Sequence, residues 1–464
     1  MDLVEQLNYI FYPRTVAVIG ASDDSRKIGY SSVRSLLDGG FKGKIYPVNP
    51  SVPELFGLAV YPSVKAIPGE VDLAVIAIPA ELTLPVIEEC AAKGVKGAIM
   101  FTSGFKELGT ETGLDLQDRI RDVANRGGMK IVGPNCMGVL NTKINLNATF
   151  VSRLGSTRAG SVAVASQSGG LCLYIAKALT DNNVGISKII SIGNRCNLYF
   201  DEIVRYFAED EETKVIVLYI EGVERPRQLI AAAREVVRRK PIVAYKAGRW
   251  GELNQVSLSH TGVLAGNYEF YKAAFTQAGI MAVDSMTELI DTAKALAFQP
   301  PSPGNRVAVL SGPAGLGLIM ADKCYELGLS LAKFSTATRQ RLRQLISPLN
   351  PIDNPVDLAG GIGRNLDAWR EILKVVLEDD GVDMIVTGFP YSNVAIKLNR
   401  ALLDISSHHQ KPIAYVSVDS QVREDIMEKT KLEENNIPVY PLPERAITGL
   451  AALVRYGRIL RAVG

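Results

Sequence analysis

Val162-Ala-Val-Ala-Ser-Gln-Ser-Gly-Gly170 is a continuous apolar run that gives way to small polar residues and a glycine pair. A run without polar alternation suits a strand covered on both faces, as in a parallel sheet. The stretch after it, Leu171–Thr180, has the length of a helix. The same theme recurs in Val16-Ala-Val-Ile-Gly-Ala-Ser22 and in Val307-Ala-Val-Leu-Ser-Gly-Pro-Ala-Gly315. Strand, small-residue turn and helix in alternation mark an α/β protein, and three such openings predict three parallel-sheet units.

Working outward, apolar runs predict strands at Thr15–Ala21, Lys44–Val48, Leu73–Ile78, Ala98–Thr102 and Lys130–Val132 in the first unit. The second unit has Ser161–Ala165, Lys188–Ile192, Val215–Tyr219, Pro241–Lys246 and a short Ile280–Val283. The third has Arg306–Leu310, Ser330–Phe334, Met384–Phe389, Ile413–Ser417 and Pro438–Tyr440. The prolines of Gln-Pro-Pro-Ser-Pro-Gly-Asn at 299–305 cannot continue helix or strand and mark a linker. Gly138 to Gly160 lacks periodicity and reads as a crossing between sheets. The expected domains are 1–135, 136–298 and 306–464.

A chain of 464 residues is too long for one core and suits three domains of about 150 residues. Its 51 basic and 49 acidic residues leave a formal charge of +2, which gives no footing for nucleic acid or a membrane surface. The five cysteines are scattered, odd in number and form no CxxC pair, as expected of reduced thiols in a cytoplasmic protein. The opening Met-Asp-Leu-Val-Glu-Gln has neither the basic nor the apolar region of a secretory signal. No apolar run approaches the roughly 18 residues of a membrane span.

Gly20-Ala21-Ser22 through Lys27-Ile28-Gly29 lies between a strand and a helix. Small residues let the backbone approach an anion, and the helix start adds free N–H groups. Lys27 can pair with a phosphate. The second strand runs into Pro47-Val48-Asn49-Pro50, without the acidic residue that favours a dinucleotide ribose, and the loop is not GxGxxG. Asn49 can instead hydrogen-bond a sugar or adenine. Ile78-Pro79 and Thr102-Ser103-Gly104-Phe105 end neighbouring strands and face the same crevice. A phosphate-bearing cofactor fits this edge; glycine turns around an empty crevice are the plainer possibility.

The pair Gly169-Gly170 after Ser168 exposes adjacent N–H donors with no Cβ in the way. A tight turn capped by a serine would read the same. Glu221 ends the run Val215-Ile-Val-Leu-Tyr-Ile220 and stands at a sheet edge. His260, one of three histidines, lies in Ser257-Leu-Ser-His-Thr-Gly262, whereas His408 and His409 sit in a polar Ser-Ser-His-His-Gln-Lys segment. An imidazole can act as a nucleophile and carry a phosphoryl group, and a carboxylate beside it fixes its tautomer.

In this order the motifs resemble one family, the α subunits of nucleoside-diphosphate-forming acyl-CoA synthetases. These are the ADP-forming acetate–CoA ligases related to succinyl-CoA synthetase. The matching stretches are Val18-Ile-Gly-Ala-Ser22 with Lys27 and Gly29, Tyr46-Pro-Val-Asn-Pro50, Thr102-Ser-Gly-Phe105 and Gly133-Pro-Asn-Cys-Met-Gly138. They continue with Ser166-Gln-Ser-Gly-Gly170, Ser191-Ile-Gly-Asn194, Tyr219-Ile-Glu-Gly222, Lys246-Ala-Gly248, Ser259-His-Thr-Gly262 and Asn354-Pro-Val-Asp357. The resemblance implies an N-terminal Rossmann-like CoA-binding domain followed by two flavodoxin-like, succinyl-CoA synthetase-like domains.

It also implies a reversible reaction in which acyl-CoA, with acetyl-CoA as the favoured case, reacts with ADP and phosphate to give a carboxylic acid, CoA and ATP. CoA would be held by Gly20, Ala21, Ser22, Lys27, Asn49, Ile78, Pro79, Ser103 and Asn135. Phosphate would be held by Ser168, Gly169, Gly170 and Asn194. His260 would carry the phosphoryl group with Glu221 beside it, and no metal is expected on this chain. ADP, ATP and Mg²⁺ would enter through a separate ATP-grasp β subunit, in an α2β2 assembly, since the nucleotide region of fused family members does not follow residue 464. The chain departs from the family at Arg195-Cys196-Asn197, where an acidic residue is usual. An acyl-CoA-sensing regulator that has lost phosphoryl transfer and an NAD-dependent oxidoreductase are the other readings. The first should lack the histidine or its carboxylate, and the second should carry GxGxxG.

Overall fold

A computed structural model describes residues 2–250, 268–359, 365–389, 393–406, 409–417 and 423–463. The chain divides into two compact units, Met1–Met286 and Thr287–Gly464.

The first unit holds two sheets. One is parallel and consists of β1 (Thr15–Ile19), β2 (Lys44–Val48), β5 (Leu73–Ile76), β6 (Gly97–Met100) and β7 (Lys130–Val132), in the order β2-β1-β5-β6-β7. Between β2 and β5 a short antiparallel ribbon, β3 (Glu54–Leu55) and β4 (Leu58–Ala59), appears where no apolar run announced one. The other sheet comprises β8 (Gly138–Asn141), β9 (Leu146–Thr149), β10 (Ala159–Ser166), β11 (Ile186–Ser191), β12 (Val215–Ile220), β13 (Ile242–Lys246) and β14 (Met281–Val283). Its order is β14-β13-β12-β10-β11-β8-β9. β10 to β14 are parallel, and their order reverses between β10 and β12. The first sheet reverses in the same way between β1 and β5. In such sheets ligands bind beyond the carboxyl ends of the strands at the reversal.

The passage expected as a plain crossing is a correction. Gly138–Asn141 and Leu146–Thr149 form an antiparallel pair that extends the second sheet from β11. Both strands are buried throughout, yet Asn141, Asn147 and Thr149 are polar. Their side chains are satisfied locally: Asn141 Nδ2 donates to Phe11 O at 2.7 Å and Thr149 Oγ1 to Asn147 Oδ1 at 2.7 Å. Buried polar groups that pair with each other leave no apolar alternation to read.

The N-terminal helix Leu3–Phe11, with a capping box from Asp2 and Glu5, ties the two sheets together. Leu7, Ile10 and Phe11 are fully buried, Phe11 stacks on Tyr206 at 4.7 Å, and Tyr206 Oη donates to Asn8 Oδ1 at 2.9 Å. Beneath them Lys188 of β11 is buried against Asp210 at 2.5 Å and Tyr12 Oη at 3.0 Å.

The second unit is built on β15 (Arg306–Ser311), β16 (Ser330–Leu331), β17 (Val356–Asp357), β18 (Met384–Gly388), β19 (Ile413–Val416) and β20 (Val439–Tyr440). Its order, β16-β15-β18-β19-β20, repeats the pattern of the first sheet, with β17 added on β15. β16 is shorter than the expected Ser330–Phe334. The Asn354 amide takes its place: Nδ2 donates to Val307 O and Ala332 O, and Oδ1 accepts from Val309 N. Trp369 is fully buried in the core with Nε1 donating to Leu398 O at 3.0 Å. Helix Met286–Phe298 packs within this unit from Thr287 on. Lys294 pairs there with Glu433, and Asp291 with Arg445.

Candidate functional site

At the carboxyl edge of the first sheet the loop after β1 is compressed against its neighbours. Gly20 has φ +87°, and a Cβ on it would lie 2.5 Å from Ala77 O. A Cβ on Gly29 would lie 1.9 Å from Gly20 O, so helix Ile28–Asp38 starts directly on the loop. Ser22 Oγ accepts from Asp24 N at 3.1 Å, and Lys27 is exposed just ahead of the helix. Asn49 holds the loop to β2, with Nδ2 donating to Ala21 O at 2.6 Å and Oδ1 accepting from Ser51 N at 2.8 Å. Ile78 and Pro79 follow β5, and Ser103 follows β6. Thr102 Oγ1 donates to Ile78 O at 2.5 Å, and Asn135 N donates to Thr102 O at 2.8 Å. These residues share one edge because all five strands run the same way. Gly29→Ala should force the loop away from the helix with little change in the far-ultraviolet spectrum; on the expectation that CoA binds this edge, CoA affinity measured by calorimetry should fall at least about tenfold.

At the second sheet Ser168 caps helix Gly169–Asp181, its Oγ accepting from Leu171 N at 3.4 Å. Gly169 and Gly170 occupy the first positions of that helix, where N–H groups have no helical acceptor. A Cβ on Gly170 would meet nothing within 4 Å, so this glycine keeps space open rather than permitting a tight contact. A cavity of about 400 Å³ lies before them, bordered by Phe101, Asn135, Gln167, Ser168, Gly170 and Asn194, among others. It brings Asn135 of the first edge together with the whole expected phosphate set. Asn194 forms part of the wall, with Nδ2 donating to Glu107 at 2.5 Å and Gln117 at 3.1 Å, and its backbone N–H to Pro134 O at 2.9 Å. Cys136 also borders the cavity, but burial pushes its thiol up to about 12, which excludes a thiolate nucleophile there at neutral pH.

Glu221 follows β12, is 8% exposed, and sits across the sheet reversal from Ser166. It connects to the cradle through a residue that sequence reading passed over. Gln167 Oε1 accepts from Glu221 N at 2.7 Å and Gly222 N at 3.1 Å. A second overlooked residue is Lys246, at the end of β13 and 1% exposed. Its Nζ lies 4.7 Å from the Tyr271 ring centre and donates to Ala247 O. Burial lowers its pKa to about 8, partly offset by the Glu221 carboxylate and reinforced by Arg249. A third is Arg195, the departure from the family pattern. It is buried, its Nε donating to Glu224 at 2.7 Å and its Nη1 to Gly193 O at 2.9 Å. His260 lies outside the described residues.

Lys246 gives a pH prediction with a definite sign. Its folded pKa, about 8, is below the 10.5 of an exposed lysine, so between these values the unfolded chain holds a proton that the folded chain does not. Stability from this group therefore rises with pH across that window, and its burial costs most below it. Any stability advantage of Lys246→Met should shrink as pH climbs above about 8, by at most about 1.4 kcal/mol per pH unit in denaturant titrations.

Fold and edges together define a doubly wound α/β protein with a glycine-bearing loop or helix start at the edge of each of two sheets. Comparison with known proteins narrows the class. Residues 14–142 match the CoA binding domain family, 159–296 the succinyl-CoA ligase like flavodoxin domain, and 307–457 the ligase-CoA domain. The chain is 38% identical over 461 residues to the acetate–CoA ligase [ADP-forming] II subunit alpha of Pyrococcus furiosus, covering 97% of this chain and 98% of that one. It is 35% identical to the acetate–CoA ligase [ADP-forming] of Methanocaldococcus jannaschii, covering 97% of this chain and 63% of that longer protein. The dinucleotide forming acetyl-coenzyme A synthetase 1 of Ca. Korarchaeum cryptofilum, solved with phosphate and ADP, superposes with a TM-score of 0.90 at 35% identity, covering 98% of both chains. The chain belongs to the ADP-forming acyl-CoA ligase family, among its α subunits.

Proposed function

We propose that this chain converts acetyl-CoA, with phosphate and ADP, to acetate, CoA and ATP, reversibly, as the α subunit beside a separate ATP-grasp β subunit in an α2β2 assembly. CoA lies along the first sheet's edge, against Gly20, Ala21, Ser22, Lys27, Asn49, Ile78, Pro79, Ser103 and Asn135. Phosphate sits at Ser168, Gly169 and Gly170, with Asn194 as wall. The N–H groups at the helix start stabilise its oxygens and align one of them with the thioester carbonyl. Attack forms the C–O bond of an acyl phosphate and expels CoA as thiolate, which takes up a proton. His260 then attacks phosphorus, releasing the carboxylate, and Glu221 holds the imidazole in the nucleophilic tautomer. The phosphohistidine delivers its phosphoryl group to ADP, which with Mg²⁺ is bound mainly by the β subunit.

The observation that carries this reading is the single cavity shared by Asn135 of the first edge and the Ser168–Gly170 helix start. A CoA chain ending at Asn135 and an anion at that helix start would border the same cavity, which supports the reading. The chain mixed with its β partner should form ATP from acetyl-CoA, ADP and phosphate, and the isolated chain should form none. A panel of acyl-CoA thioesters in the same assay reads the acyl preference. ATP formed by the isolated chain, or no ATP from any thioester with the partner present, would defeat the proposal.

A further inference from the structure

We infer that Gln167 is a phosphate-contacting catalytic residue, its side-chain amide nitrogen donating to a phosphoryl oxygen in the cavity before the Gly169–Asp181 helix. This deepens the proposed function and rests on it. Gln167 is 4% exposed and borders the cavity. The orientation of its amide is fixed by its partners: Glu221 N and Gly222 N can only donate, so the end facing them is the oxygen. The nitrogen is therefore the other end, and among the described residues it has no hydrogen-bond partner. A buried amide with both N–H groups unspent is unusual, because such donors are normally satisfied. Gln167 lines the same cavity as Gly169 and Gly170, whose N–H groups at the helix start have no helical acceptor. On this inference the amide nitrogen and those N–H groups act as one donor set, of the kind that holds a transferring phosphoryl group.

The position of Gln167 gives it a second consequence. It leaves β10 at the sheet reversal, and its oxygen accepts from the backbone of Glu221 just after β12. One planar group thus binds the anion at one end and fixes the carboxylate loop at the other. A phosphoryl oxygen on the nitrogen polarises the amide and strengthens the bonds to Glu221 N and Gly222 N.

The test is a calorimetric titration of inorganic phosphate into the full chain, with CoA as a parallel titrant. Gln167→Glu keeps an oxygen for Glu221 N and Gly222 N and places a second oxygen where the donor was. It should bind phosphate about 10- to 100-fold more weakly than the wild type, with CoA affinity unchanged. The loss should deepen with rising pH relative to the wild type, because a protonated carboxyl can still donate and an ionised one repels the anion. Gln167→Met, which lacks both ends, should weaken phosphate binding and also lower the melting temperature. Wild-type phosphate affinity in Gln167→Glu overturns the inference and leaves the proposed function standing, even if Gln167→Met does not fold. Absence of phosphate binding by the wild-type chain overturns this inference together with the phosphate site.

Discussion

His260→Ala is expected to leave no acid-labile, alkali-stable phosphate on the chain after incubation with acetyl-CoA and phosphate, and to lower turnover by at least about 10³-fold. The size follows from the role. As proposed, a covalent carrier takes the phosphoryl group from one site to another, and alanine has no nucleophile with which to do so. His409 borders a separate cavity in the second compact unit, along with Pro300, Lys411 and Asn436. His408 lies outside the described residues. CoA affinity should be unchanged in His260→Ala, because the edge proposed for CoA belongs to the first sheet. Label that persists in His260→Ala, or that disappears only on changing His408 or His409, would assign the carrier elsewhere.

The parallel units were legible in sequence because buried strands advertise themselves. Val162–Ala165, Val215–Ile220 and Val307–Leu310 are apolar at every position and buried at every position. The compressed loop after β1 was legible for a related reason: close backbone approach demands glycine, and Gly20 and Gly29 record that demand directly. Elements stabilised by side-chain hydrogen bonds were not legible. Leu146-Asn-Ala-Thr149 is a buried strand whose polar residues satisfy one another. The Asn354 amide substitutes for part of β16, which no local pattern can reveal. Gln167 and Lys246 escaped for the same reason. Each stood inside a motif already noticed, but its role depends on partners more than fifty residues away or on another strand. Arg195 was noticed only as a departure, and its pairing with Glu224 explains why an arginine is tolerated there: the guanidinium is buried on a carboxylate and a carbonyl.

Glu221→Gln should slow phosphorylation of the chain by about 10²- to 10⁴-fold while leaving the fold intact. The substitution preserves volume, and the loop is held through its backbone, since Gln167 Oε1 accepts from Glu221 N and Gly222 N whatever the side chain. What is lost is the charge. An uncharged amide cannot stabilise the cation that forms when the imidazole is phosphorylated, and it can present a donor where the imidazole needs an acceptor. There is also a cost that has nothing to do with catalysis. Lys246 is buried and faces this carboxylate, which raises its pKa against the effect of burial. With Glu221 neutralised, Lys246 should titrate below about 8 and the variant should lose some stability. The double variant Glu221→Gln/Lys246→Met separates the two effects. It removes the unpaired cation, so it should regain the stability lost in Glu221→Gln, yet it should remain as slow in forming phosphohistidine. Recovery of the labelling rate in the double variant would make Glu221 a structural counter-charge to Lys246. A wild-type labelling rate in Glu221→Gln alone would remove it from the reaction altogether.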